Sequence, residues 1–355
     1  MPDWIPLRLR RTRRSALLVP AVLVAAAVAT ASWAAPVEPI PVKDDPNVVE
    51  TAPAARGPWF GWAQNSQQDP DHYDFYVQRG TEDPVKVNAA NTQGLGGDFA
   101  GRDVFYVQQF GDRDPRINRF DLKSGLRSAL PAKVNNYRHT VKHYFGNGHK
   151  GNRVISGVRG DLTVSGPWLL YSGYMEFLDY DVYRYDTLML YNRVTHRLRQ
   201  IAAVSSDYLH LSAGQVNGKY VTYLKKTSYG TGTGDKSVPY RYNIKTGREV
   251  KLASARKSFS WGPSVSSDGT VYYFKSDDCT TAPCAFDLVR RPIGGHAEVI
   301  ATLTTQNAPR RTYVKDRPDG SRLVFAGSYP GNGTYYLPGD IYKVVDDPET
   351  TAASR

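Results

Sequence analysis

Cysteine, methionine and long helix-forming stretches are all scarce in this 355-residue chain. Two cysteines alone do not make a zinc site. Three methionines and few long runs of Ala, Leu, Glu and Lys argue against a helical fold. No G-x-S-x-G segment is present, so the strand-to-helix elbow of a serine hydrolase is excluded. No HExxH pair occurs, and Gly-rich runs such as "GTGTG" have no helix pattern after them to cradle a phosphate. Basic residues are scattered, not clustered, which speaks against a nucleic-acid footprint.

What is abundant is aromatic and turn-forming. There are 24 Tyr, 31 Gly and 23 Pro, a mix that favours short strands and tight turns. The first 35 residues differ: "PLRLRRTRRS" is a basic segment and "ALLVPAVLVAAAVATASWAAP" an uncharged one ending in small residues. This is the pattern of an export signal with cleavage after Ala31 or Ala34; a retained membrane anchor is the alternative, since Ser15–Ala35 is long enough to span. "TRRSALL" also approaches a twin-arginine signal, with Ala16 where a bulkier apolar residue is preferred. The whole chain carries +11, and five arginines and one aspartate lie in residues 1–34, leaving +7 beyond them. That surplus suits solubility and mild attraction to acidic surfaces. Cys279 and Cys284 bracket "TTAP", and with an export signal their spacing predicts a small loop-stapling disulfide.

Internal repetition organises the rest. Strand-like cores recur as "FGWAQN" (60), "DVFYVQ" (103), "WLLYSG" (168), "YVTYLK" (220), "TVYYFK" (270) and "RLVFAG" (322). Each is followed by a second element, among them "DFYVQRG" (74), "RINRFDLKSG" (116), "TLMLYNRVTH" (187) and "VPYRYNIKTG" (238), and several by a third such as "REVKLA". One further strand precedes each core. Four short antiparallel strands, six times over at a period near 50 with one insertion, predict an all-β fold: a six-bladed β-propeller of four-stranded blades. A β-sandwich would give no reason for six similar units. The sixth unit has no fourth strand of its own, so "PVEPIPV" (36–42) is expected to close the ring, its Pro39 and Pro41 tolerated on an outer edge. The layout is therefore 1–35 signal or anchor, 36–346 propeller and 347–355 polar tail.

"DRPDGSRLVFAG" (316–327) and "SVSSDGTVYYF", with "FDLKSG" and "YNIKTG", resemble the WD-like repeats of TolB-like six-bladed propellers, the exported bacterial type. The resemblance spans about residues 36–346 and implies a fold, not a reaction. The Asp268-Gly269 and Asp319-Gly320 pairs are read as hairpin turns, because Gly accepts positive φ and Asp bonds its own turn. An acid–base pair there is disfavoured, since consecutive blades would separate the two carboxylates.

With strands A to D running outward, A–B and C–D turns share one face, and B–C and D–A connections share the other. The second set holds nearly all the long loops: 64–74, 108–116, 172–186, 225–237, 275–284, 327–339 and the insertion 135–153. Binding is expected on that face. Its chemistry is tyrosine beside carboxylate, suited to stacking on sugars or anchoring a protein. The candidate binding residues are His72, Tyr73, Tyr174, Glu176, Phe177, Asp179, Tyr180, Asp181, Tyr183, Tyr335 and Tyr336; the alternative for several of these tyrosines is that they pack the loops down. His139, His143 and His149 of the insertion are read as solvated loop residues, not metal ligands, and the carboxylate-rich loops lack an EF-hand register.

The resulting expectation is an exported, non-catalytic binding module with no cofactor and no metal, acting in the cell envelope or outside the cell. Its partner is a protein or glycan rather than nucleic acid, and it touches a membrane only through an uncleaved N-terminus. The competing reading is a propeller enzyme, a lyase or lactone hydrolase, with an axial site on the same face. A structural envelope scaffold is the third. Three or more ionisable groups within hydrogen-bond reach of one another at the axis would favour the enzyme.

Overall fold

A computed structural model describes the backbone of residues 39–43, 45, 48–66, 69–111, 113, 115–135, 138–144, 150–154, 157–176, 184–205, 209–227, 236–253, 259–276, 284–305, 309–328 and 341–347. Six four-stranded antiparallel sheets follow one another along the chain. Blade 1 runs A Val48–Arg56, B Trp59–Ser66, C Asp69–Arg79 and D Val85–Lys86. Blade 2 is Gln93–Ala100, Asp103–Gln109, Arg116–Asp121 and Arg127–Ala129. Blade 3 is Gly157–Ser165, Trp168–Glu176, Arg184–Asn192 and Leu198–Ser205. Blade 4 is Leu209–Asn217, Tyr220–Thr227, Lys236–Asn243 and Glu249–Lys251. Blade 5 is Phe259–Val265, Val271–Ser276, Cys284–Arg291 and Glu298–Thr305. Blade 6 has Pro309–Asp316, Arg322–Ser328 and Ile341–Asp346, and its outer strand is Ile40–Lys43 from the N-terminal side. The A strands pack against one another in order, and blade 6 meets blade 1 again, so they form the inner wall of a closed six-bladed propeller.

The outer strand of blade 6 pairs Ile40 with Lys343, Pro41 with Tyr342 and Lys43 with Ile341. Its register slips between Pro41 and Lys43, next to the residue that has no amide to donate. It is also shorter and starts later than the expected 36–42.

Burial explains the sequence pattern. Strand B of blade 4 begins with five consecutive buried residues, because neighbouring blades cover both its faces. The outermost strands of blades 2 and 4 are exposed or nearly so. Apolar clusters fill the joints between blades, one of them spanning blades 6, 1 and 2. Phe75, Phe99 and Tyr106 serve the blade 1–2 joint, Val164, Leu169 and Met189 the 2–3 joint, and Tyr272, Phe274 and Phe286 the 5–6 joint.

The turn motifs have the predicted local physics. The Asn243 side chain accepts from the amides of Lys245 and Thr246 at 2.9 and 3.2 Å, and Asp121 accepts from Lys123 and Ser124 at 2.9 and 3.0 Å. Asp268 accepts from the Thr270 amide at 2.9 Å, beside Gly269 at φ +91°.

Two loop expectations are corrected. Residues 64–74 form mostly strand, because blade 1 turns from B to C over two residues and pairs Ser66 with Asp69. The insertion is not all loop either: after a one-turn helix, Ala132–Asn135, it forms a two-stranded ribbon, Arg138–Tyr144 with Lys150–Val154, while His149 lies outside the described residues. His139 and His143 therefore lie on a strand, paired with Arg153 and Gly151.

Candidate functional site

Every A strand carries a bulge against its B strand, at Thr51/Ala54, Gly94/Gly96, Val158/Leu162, Ala213/Val216, Trp261/Ser264 and Pro309/Arg311. Bulges bend a strand and re-aim its side chains, and six of them around one axis turn polar groups inward. The result is a plug. Asp98 of blade 2 is fully buried and accepts from the Val164 amide (2.7 Å), the Phe99 amide (2.7 Å) and the Tyr313 hydroxyl (3.0 Å). Arg311 of blade 6 reaches the opposite side of the ring and donates to the Leu162 carbonyl at 2.6 Å. Gln215 of blade 4 donates to the Val314 carbonyl (2.8 Å) and accepts from the amides of Val314 (2.9 Å) and Val265 (3.3 Å). One side chain thus ties three blades together.

Electrostatics at the plug follow from burial. Desolvation pushes the Asp98 carboxyl up to about 6, against its hydrogen bonds and the charge of Arg311. Burial pulls the Arg311 guanidinium down, opposed by Asp161 and Asp98. The Tyr313 phenol is raised well above its ordinary range by burial and by Asp98 beside it.

Towards the loop-rich end of the same strands the groups are less enclosed. Half-buried Asp161 accepts from Ser212 Oγ at 2.7 Å and Ser172 Oγ at 3.3 Å. His210 Nδ1 lies 3.3 Å from buried Asp186, which also accepts the Leu211 amide at 3.1 Å. Asp98 and Tyr313 are hydrogen-bonded to each other, Arg311 bonds the Leu162 carbonyl within the field of Asp98 and Asp161, and Asp161 accepts from two serines. This is a stitched core with a polar mouth of Asp161, Ser212 and His210.

The sequence-predicted residues are distributed as follows. His72 and Tyr73 lie on strand C of blade 1, not on a loop. His72 Nε2 is 3.5 Å from Asp74, which also pairs with Lys86 at 2.7 Å. Burial raises the Asp74 carboxyl, but bonds from Asn88 and Lys86 and the nearby cations outweigh it, so the net shift is downward. Tyr73 packs partly against the blade 1–2 core. Tyr174 and Glu176 end strand B of blade 3, opposite Asp186 and Arg184. Blade 2 stands between the two groups in the ring. Phe177, Asp179, Tyr180, Asp181, Tyr183, Tyr335, Tyr336 and Cys279 lie outside the described residues. Cys284 is buried at the start of strand C of blade 5, and no described cysteine is free.

The axial groups Asp98, Asp161, Arg311 and Tyr313 were not among the predicted sites. Their signal is a charge in the middle of an innermost strand, as in "GGDFAG", "GDLTVS" and "RRTYVK", where an apolar residue would cost less to bury.

No family model and no curated protein matches the chain. Among solved structures it is similar to TolB from Acinetobacter baumannii, with 14% identity and a TM-score of 0.47 over 81% of this chain and 65% of that one. An oligogalacturonate lyase in complex with manganese gives 10% identity and a TM-score of 0.49 over 89% and 98%. The β-propeller domain of the Trilobed protease from Pyrococcus furiosus gives 10% and 0.47 over 84% and 82%. The chain spans somewhat under two thirds of the TolB structure. The six-bladed β-propeller of four-stranded antiparallel blades is read from this chain's own sheets.

Proposed function

We propose that this chain is an exported, non-catalytic binding module whose loop-rich face takes a protein partner or a glycan. The observation that carries the reading is the contrast between axis and rim. The axis is occupied by Asp98, Arg311, Tyr313 and Gln215, each bonded across blades, and Asp98, Tyr313 and Gln215 are buried. By strand direction, the D–A link that carries the ribbon strands and the B–C connections leave the disc on the same face, and such connections on a rigid scaffold are the usual carriers of recognition. Replacing residues 138–154 by a short Gly/Ser link should abolish saturable retention on immobilised cell-envelope glycan or protein fractions while the unfolding midpoint is kept. Retention unchanged by the replacement would sink the assignment to this face.

The enzymatic alternative rests on Asp161, a half-buried carboxylate at the mouth beside Ser212. An Asp161→Asn variant separates the two readings. Loss of product release from an acidic glycan or a lactone, with binding intact, would establish the enzyme.

Export and the disulfide belong to the same reading. The mature protein should begin between residues 32 and 36 and, before reduction, should weigh two hydrogens less than its sequence, for one Cys279–Cys284 bond. Intact mass spectrometry of the exported protein reads both. A mass that includes Met1, or free thiols on both cysteines, overturns the corresponding claim.

A further inference from the structure

The plain face has a feature of its own. Between the C–D turn of blade 4 and that of blade 5 lies a half-open cleft of about 500 Å³. Arg241, Arg248 and Arg291 line it together with Tyr220 and the Gly294-Gly295 turn, and among the described residues no acidic one does. The three arginines come from different elements: strand C of blade 4, the end of its C–D turn, and the end of strand C of blade 5. Arg241 is buried and donates one Nη to the Gly269 carbonyl at 2.7 Å, which fixes its guanidinium at the cleft.

Nearby acids are engaged elsewhere. Asp268 pairs with Arg322 at 2.7 Å, Glu249 pairs with Lys225 at 3.1 Å, and Glu298, which lines an adjoining cleft, pairs with Arg290 at 2.9 Å. Burial lowers the Arg241 guanidinium, and the like charges of Arg291 and Arg248 lower it further, against Tyr220 and Asp268. Three cations held this close without a lining carboxylate repel one another, a cost that an anion in the cleft removes.

We propose that this cleft is a binding site for a phosphate monoester. A dianionic phosphate matches several guanidinium forks at once, whereas a single carboxylate would leave two of the charges unanswered. The body of the ligand has a place as well. Tyr220 and the exposed Ile293 give the wall an apolar side, and the adjoining cleft, of about 720 Å³, shares Leu252 and Arg291 with the first. An ester with a flat or apolar group would put its phosphate on the arginines and lay that group along this wall. The site lies on the face opposite the loops, so it is independent of the function proposed above.

Calorimetric titration of the full chain with phenyl phosphate, inorganic phosphate and benzoate tests it. Phenyl phosphate should bind saturably in the millimolar range or below. Benzoate, with the same ring and one charge fewer, should bind at least about tenfold more weakly. Arg248→Gln and Arg291→Gln should each weaken phenyl phosphate about tenfold, the loss expected for one charged hydrogen bond. Neither variant should lower the unfolding midpoint without ligand, because each relieves repulsion. Co-sedimentation with phosphatidic acid vesicles, against phosphatidylcholine alone, distinguishes a lipid-borne phosphate from a free one. No saturable binding of any phosphate, equal binding of benzoate, or variants that bind like the parent would each overturn the proposal.

Discussion

Asp346→Ala should cost about 3–5 kcal/mol of unfolding free energy, the range for stripping one partner from a buried ion pair. Asp346 is the last residue of strand C in blade 6 and is almost wholly buried. It accepts from Arg290 Nη1 at 2.5 Å and from the Tyr272 hydroxyl at 2.5 Å, both on blade 5. Arg290 also holds Glu298 at 2.9 Å, and Arg322 of blade 6 holds Asp268 of blade 5 at 2.7 Å. One network therefore joins the two blades beside the seam where the ring is closed. Removing the acid leaves the buried Arg290 one carboxylate short, and the Tyr272 hydroxyl loses its acceptor inside the joint. Burial first, and then the charge of Asp346, holds the Tyr272 phenol far above its usual range, so it stays a hydroxyl donor at every accessible pH.

Urea unfolding of the variant and of the double variant with Arg290→Met decides the matter. The single change should lower the midpoint strongly with an unchanged slope, and the added Met should recover part of the loss because it removes the stranded cation. A loss below about 1 kcal/mol, or no recovery in the double variant, would mean that the seam is held by apolar packing alone.

The repeat was legible because strand B is buried on both faces. "VFYV", "LLYS" and "VYYF" are continuous apolar runs, and their spacing carried the blade count. The Asx turns at Asp121 and Asn243 were legible because their bonds are local to a few residues. What stayed hidden depends on contacts between distant blades. Asp98 meets Tyr313 from 215 positions away, and Arg311 meets Leu162 from 149. Nothing in "GGDFAG" names those partners. The expected loops at 64–74 and 135–153 are largely paired strands: pairing satisfies the backbone whatever the side chains are, so polar composition alone did not separate loop from strand there. The arginine cleft was missed because Arg241, Arg248 and Arg291 are scattered in sequence and converge only when blades 4 and 5 are side by side.

Acidification from about pH 7 to about pH 4 should strengthen the propeller at Asp98, opposite to the usual behaviour of a hydrogen-bonded surface carboxylate. The folded protein holds this proton up to about pH 6, whereas an unburied aspartate releases it near 3.8. Between those limits the native state binds more protons than the unfolded chain, so its stability falls as pH rises and the contribution is gone above the folded value. The separation corresponds to about 3 kcal/mol. Other carboxylates run the other way. Asp74 and Asp268 are burdened first by burial, yet their bonds and neighbouring cations hold them below the ordinary value, so they lose stability in acid. The comparison must therefore be with Asp98→Asn, which removes the proton site and keeps those groups. Its amide nitrogen would face the Val164 N–H, a local cost that does not vary with pH. The stability of the parent minus that of the variant should fall by about 2 kcal/mol from pH 4 to pH 7, measured by urea unfolding at constant ionic strength. A flat difference would show that Arg311 and the three donors keep Asp98 ionised throughout. The axis would then be a buried ion pair rather than a carboxylic acid held neutral in mild acid.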